Sequence, residues 1–145
     1  TTDDIGIALW RGTRTRKNHS SKRNAFTSLN DEPIGIVNKN IEWKGKYKPV
    51  SDKTVIEPGF DENIALIWAH PGLKSEDWEN IISSKKGAVI AGTGLGHVNS
   101  SLLETIGKTT KDIPVAMSTQ CLAGTTNLNV YRNGRKLIEK GVVEI

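Results

Sequence analysis

One cysteine, Cys121, among 145 residues can close no internal disulfide and cannot supply the several thiolates of a zinc ribbon. A disulfide-stapled secreted scaffold is thereby excluded, and a reducing cytoplasmic setting is expected. Long apolar runs are also missing. Ile64 to Ala69 and Ala88 to Ala91 fall far short of the roughly 20 residues that cross a bilayer. The start, Thr1-Thr2-Asp3-Asp4, carries acids where a signal peptide carries bases, so no membrane association is expected. The three histidines, His19, His70 and His97, stand alone, without H-x-x-x-H spacing or a neighbouring carboxylate pair. The expectation is no metal and no cofactor in this chain, with hydrogen-bonded or surface roles for the imidazoles.

Acids are absent from one long stretch. Between Ile5 and Asn30 the chain carries Arg11, Arg14, Arg16, Lys17, Lys22 and Arg23 and no Asp or Glu. The net charge of +4 is therefore local, because the remainder holds 14 bases against 16 acids. Such a cluster fits an anion-binding patch or a charged site better than a general nucleic-acid coat. It also contains no aromatic residue before Phe26 on which a base could stack. Three readings stay open here: a solvated loop, an RNA contact, or a lysine buried among cations. In the third, Lys17, flanked by Arg14, Arg16 and Lys22, would have a lowered pKa and could accept a proton near neutrality.

Ile5 to Trp10 reads as a buried strand of an α/β sheet, followed by a loop or irregular hairpin over Arg11 to Ser21. Ile34 to Val37 and Ile41 to Trp43 flank Asn38-Lys39-Asn40, whose asparagines tolerate left-handed backbone, so this pair predicts a hairpin. Lys44 to Phe60, with Gly45, Pro49, Pro58 and Gly59, follows no period and reads as a linker. Regular alternation then begins. Strands are predicted at 64–68, 87–91 and 113–118, with helices at 75–83, 99–106 and 130–140. Three βα units with short connections argue for a parallel sheet with helices on its faces. Ser75, ahead of Glu76 and Asp77, reads as a helix cap, and Gly141 as a left-handed stop.

Gly92-Thr93-Gly94-Leu95-Gly96 lies between a strand and a helix, but its G-x-G-x-G spacing is not the dinucleotide fingerprint. A tight turn with close packing is the simpler reading. Its place at the end of a parallel strand, where open α/β sheets bind ligands, keeps a small-molecule contact open. Cys121 has no C-x-x-C partner and is expected to be inert. Trp10, Trp43 and Trp68 are expected in or near the core, each indole N–H seeking an acceptor.

The run Arg11-Gly12-Thr13-Arg14-Thr15-Arg16-Lys17-Asn18-His19-Ser20-Ser21-Lys22-Arg23-Asn24-Ala25-Phe26 resembles the lysine-bearing loop of the asparaginase family. Further matches are Ala91 to Val98, Met117 to Cys121, Asn127 to Tyr131 and Gly134 to Leu137. These resemble the branch of that family formed by the glutaminase subunits of archaeal tRNA-dependent amidotransferases. The likeness runs from Ala8 to Val143. It implies a three-layer, parallel-sheet α/β architecture. Residues 1–45 would end an asparaginase-type catalytic domain, 46–61 would be a linker, and 62–145 would form a smaller Rossmann-like C-terminal domain.

The resemblance also implies a chemistry. Such subunits hydrolyse L-glutamine by acyl transfer to an activated threonine, and the ammonia passes to an E-type partner subunit that amidates glutamate esterified to tRNA. Lys17 matches the catalytic lysine. His97 falls where relatives place a substrate-pocket residue, usually Asn, that reaches the neighbouring subunit. A homodimer through the asparaginase-like domains is implied, with tRNA held mainly by the partner subunit. The family's glycine-rich threonine motif and its second Thr-Asp motif are not in this chain, so an internal or C-terminal fragment, inactive alone, is expected. The alternatives are a free-standing L-asparaginase and an RNA-binding module built on the basic loop.

Overall fold

The computed structural model describes residues 2–3 and 6–145, with side chains from residue 6 onward. Thr1, Asp4 and Ile5, part of the acidic start and of the first expected strand, lie outside the described residues. The chain divides into two units, Thr1–Glu57 and Pro58–Ile145.

The described residues of the first unit form strands and one 3-10 turn, Gly12–Arg14. Strands β1 (Thr2–Asp3) and β2 (Gly6–Leu9) join β5 (Gly35–Val37) and β6 (Ile41–Trp43) in an antiparallel sheet ordered β1-β2-β5-β6. A separate two-stranded ribbon pairs β3 (Thr15–Lys17) with β4 (Phe26–Ser28). The expected buried strand at Ile5 to Trp10 is thus corrected on two counts. It pairs antiparallel with both neighbours, and its Ile7 is exposed. Its apolar run signalled a strand but could not name the partners, and short loops such as Asn38-Lys39-Asn40 can join only antiparallel strands. That three-residue loop closes with the Asn38 N–H donating to the Asn40 carbonyl at 3.0 Å. Among the described non-glycine residues the left-handed one is Asn30 (φ 55°), not Asn38 or Asn40. No helix or strand lies between Trp43 and Ile64.

The second unit is α/β. Strands β7 (Ile64–Trp68), β8 (Gly87–Gly92), β9 (Val115–Thr119) and β10 (Val143–Glu144) form a fully parallel sheet in sequential order. Helices α1 (Ser75–Ile82), α2 (Leu103–Thr109) and α3 (Arg132–Glu139) connect them. Register aligns Ala65, Ala88 and Val115 in one row and Ile67, Ile90 and Met117 in the next. Both rows face the same way, since side chains alternate along a strand, and both are buried with Trp78, Leu103, Ile106 and Leu137 from the helices. Side chains from all three helices join that one core, so the helices pack on this face of the sheet. The other face exposes Ile64, Leu66, Trp68 and Val143.

The tryptophan expectation is corrected accordingly. Trp43 and Trp68 are half exposed, and Trp10 is part-buried with an indole N–H that meets no acceptor among the described residues. The core tryptophan is Trp78, wholly buried on α1, its Nε1–H donating to Thr109 Oγ1 at 2.9 Å. The cap of α1 is corrected too. Lys74 is the capping position, and its N–H donates to Asp77 Oδ2 at 3.0 Å. The Ser75 hydroxyl instead accepts from Thr105 Oγ1 at 2.9 Å, tying α1 to α2. The helix expected at 99–106 begins as a 3-10 turn, Ser100–Leu102, before α2.

Helix α3 stops as the glycine pattern predicts. Gly141 adopts φ 92°, its N–H donates to the Ile138 carbonyl at 2.9 Å, and the Val142 N–H reaches Leu137 at 3.0 Å. This paired cap also buries Val142 beside Leu137. Gly141→Ala forces a Cβ into left-handed backbone and is expected to destabilise the chain by about 1–2 kcal/mol, read as a lowered urea midpoint with unchanged slope.

Candidate functional site

The two residues singled out by sequence lie in different units. Lys17 ends β3 and pairs in register with Phe26 on β4, its Nζ 5.8 Å from the Phe26 ring centroid. The expected burial of a lysine among cations is not what the ribbon provides. Lys17, Arg14, Arg16, Lys22 and Arg23 are all exposed, because a two-stranded ribbon has no second layer to cover it. The ribbon is nonetheless well tied. The Asn18 N–H donates to Ala25 at 2.7 Å, and Asn18 Nδ2 to Thr27 Oγ1 at 2.5 Å. His19 Nδ1 accepts from the N–H groups of Ser21 (3.1 Å) and Lys22 (3.2 Å), so this histidine shapes the loop. Thr15 Oγ1 donates to the Arg11 carbonyl at 2.6 Å, and Arg11 forms an ion pair with Asp31 at 3.6 Å.

His97 stands beyond the C-terminal end of β8. The glycine run does not open a helix directly. It folds into a tight turn in which the Thr93 N–H donates to His97 (2.9 Å) and the His97 N–H to Thr93 (2.8 Å). Gly96 is required there. Its φ is 107°, and a Cβ would come within 2.9 Å of Leu128 Cδ2 and of Thr126 Cγ2. The imidazole meets Tyr131 edge to face at 4.7 Å, while Nδ1 is buried and has no hydrogen-bond partner among the described residues. Ala69, His70, Pro71, Thr93, His97 and Leu102 line a cleft of about 140 Å³ beside it. Asn99 Nδ2 donates to the Pro71 carbonyl at 3.0 Å and holds the cleft's far wall.

Gln120, quoted within a motif but given no role by sequence, fastens this end of the sheet. Its N–H donates to Gly92 at 2.8 Å, and its Nε2 donates to Ala69 (2.6 Å) and Ala91 (2.8 Å). One side chain thus joins the ends of β7, β8 and β9. Only its position directly after a strand end could have flagged it. Gln120→Leu leaves the Ala69 carbonyl without this donor and is expected to cost about 1–3 kcal/mol, measured by urea unfolding. The carboxyls held below the usual range belong to neither place. Hydrogen bonding from the Asn63 N–H lowers Asp61, and hydrogen bonding from the Lys140 ammonium lowers Glu104. Among the described residues no group of three or more His, Cys, Asp or Glu could hold a metal ion.

Comparison with known proteins follows the same geography. A family model described as the Glutaminase/Asparaginase C-terminal domain matches residues 63–145. The D-type subunit of glutamyl-tRNA(Gln) amidotransferase from Thermoplasma acidophilum is 40% identical over 144 residues, covering 99% of this chain and 35% of that protein. The protein of the same name from Saccharolobus solfataricus is 42% identical, over 98% of this chain and 34% of its own length. Among solved structures, the thermostable L-asparaginase of Thermococcus kodakarensis superposes with a TM-score of 0.86 at 32% identity. That match covers 93% of this chain and 42% of that one. L-asparaginase I of Vibrio cholerae gives 0.80 at 28% identity, over 94% and 43%. The chain therefore spans about a third of the length of these curated relatives.

Proposed function

Because the chain belongs to the glutaminase/asparaginase family, we propose that it is part of the amide-hydrolysing, ammonia-supplying subunit of a tRNA-dependent amidotransferase. The observation that carries this reading is the 40% identity to a D-type amidotransferase subunit over 99% of the chain, both units included. In this reading a threonine outside these 145 residues attacks the carboxamide carbon of L-glutamine. Its hydroxyl proton passes to the neutral amine of Lys17 and then to the departing nitrogen, which leaves as ammonia. Water next cleaves the acyl-threonine to give glutamate.

The ribbon supports that role for Lys17 in two ways. Register places Lys17 beside Phe26, and the pairing with β4 fixes its strand. His97, on a turn locked by Gly96 and edge-on to Tyr131, would reach the pocket of a second copy. The ammonia would pass to an E-type partner subunit that amidates Glu-tRNA(Gln).

The test is ammonia release from L-glutamine and L-asparagine by the complete subunit, with and without its partner and Glu-tRNA. Glutamine hydrolysis that rises with the partner and charged tRNA is expected. The structural likeness to L-asparaginases favours a second reading, a free-standing asparaginase, for which asparagine would be preferred and neither addition would matter.

A further inference from the structure

The basic residues of the β3–β4 ribbon exceed what an amide-hydrolysing site uses. Lys17 alone has a chemical role in the proposed reaction, and Arg11 is paired with Asp31. Arg14, Arg16, Lys22 and Arg23 remain, all exposed, and none forms an ion pair among the described residues. No acid occurs from Ile5 to Asn30, so nothing within the segment offsets them. Side chains alternate along β3, which sets Arg16 on the face opposite Lys17. Arg16 therefore points away from the catalytic face, while Lys22 and Arg23 sit in the connecting loop.

That loop is ordered before any ligand arrives. His19 Nδ1 accepts two successive backbone N–H groups, and the Asn18 N–H closes onto the carbonyl of Ala25, which is buried. Fixing the backbone at Lys22 lowers the ordering cost of binding. Its remaining side chains, Ser20, Ser21 and Asn24, are exposed hydrogen-bonding groups of the kind that contact phosphate and sugar. What the loop lacks identifies the partner further. It offers no large apolar anchor from His19 to Asn24, and protein interfaces draw their affinity from such anchors. Its one exposed ring is the His19 imidazole, whose Nδ1 is already engaged by two backbone N–H groups. Cations and small donors without large apolar anchors suit a phosphate backbone.

We propose that the β3–β4 ribbon and its connecting loop, through Arg16, Lys22 and Arg23, are a sequence-independent contact for the RNA backbone. The proposal builds on the tRNA-dependent reading above and names this chain's own part in holding the RNA. It assigns tRNA binding to the ammonia-supplying subunit as well as to its partner.

The experiment uses the complete subunit, fluorescein-labelled unfractionated tRNA, and anisotropy titrations between 50 and 200 mM KCl, comparing wild type with R16Q/K22Q/R23Q. Each lost phosphate contact should flatten the plot of log affinity against log salt by about 0.7–0.9, so the triple variant should lose a slope of about 2–3. At the lower salt its affinity should fall by at least about tenfold, while glutamine hydrolysis without tRNA stays within about twofold. Unchanged affinity and slope would overturn the proposal. So would a variant that keeps tRNA but no longer co-elutes with the partner subunit, because the ribbon would then be a protein-docking surface. A wild-type subunit that binds tRNA with a steep salt slope yet hydrolyses no glutamine would overturn the enzymatic reading and leave the RNA contact standing.

Discussion

Lys17→Met in the complete subunit is expected to lower ammonia release from glutamine by about 10²–10⁴-fold, the range in which a positioned proton acceptor contributes. Methionine keeps most of the apolar stem that lies beside Phe26 and deletes only the amine. Lys17 is exposed, forms no ion pair among the described residues and ends a three-residue strand. Its removal should therefore change folding stability by no more than about 0.5 kcal/mol. The loss should fall mainly on kcat, since Lys17 is asked to move a proton in the transition state more than to hold glutamine. Lys17→Arg should be almost as poor, because a guanidinium cannot give up its proton near neutrality. Activity within a few-fold of wild type in Lys17→Met would end the assignment.

How far the sequence reveals this molecule depends on which physical signal each element carries. Strands β7, β8 and β9 are legible because parallel strands read as nearly unbroken apolar runs, and Gly141 is legible because few other residues stop a helix in left-handed backbone. The same unbroken runs conceal which face is covered. Ala65 and Ile67 are buried, whereas Ile64, Leu66 and Trp68 on the same strand are exposed, so hydrophobicity alone misplaces Trp68. Trp78 is hidden for the opposite reason. It sits among Glu76, Asp77, Glu79 and Asn80, and only the three-dimensional packing of α1 shows it to be fully buried. Strand β4 is three residues long and carries no periodicity. Lys17 and His97 come from a resemblance of motifs, since nothing in composition distinguishes Lys17 from Lys22. Gln120 emerges only from the hydrogen bonds that join three strand ends.

Trp78→Ala is expected to destabilise the chain by about 3–5 kcal/mol, the largest stability effect of any single substitution considered. The indole is wholly buried at the meeting of α1 and α2. Such a loss removes at least a fifth of the roughly 5–15 kcal/mol that holds an ordinary domain, so the variant should show a clearly lowered Tm. The polar end of the ring can be separated from its bulk. Trp78 Nε1–H donates to Thr109 Oγ1, which in turn donates to the Thr105 carbonyl at 3.0 Å. Thr109→Val preserves shape but strands a buried indole N–H, and should cost about 1–3 kcal/mol. In Trp78→Phe the donor is already gone, so adding Thr109→Val should cost measurably less than it does in wild type. The difference between those two costs, read from urea midpoints around the double-mutant cycle, is the coupling between the helices through this bond. Strict additivity would mean that Trp78 holds α1 to α2 by packing alone.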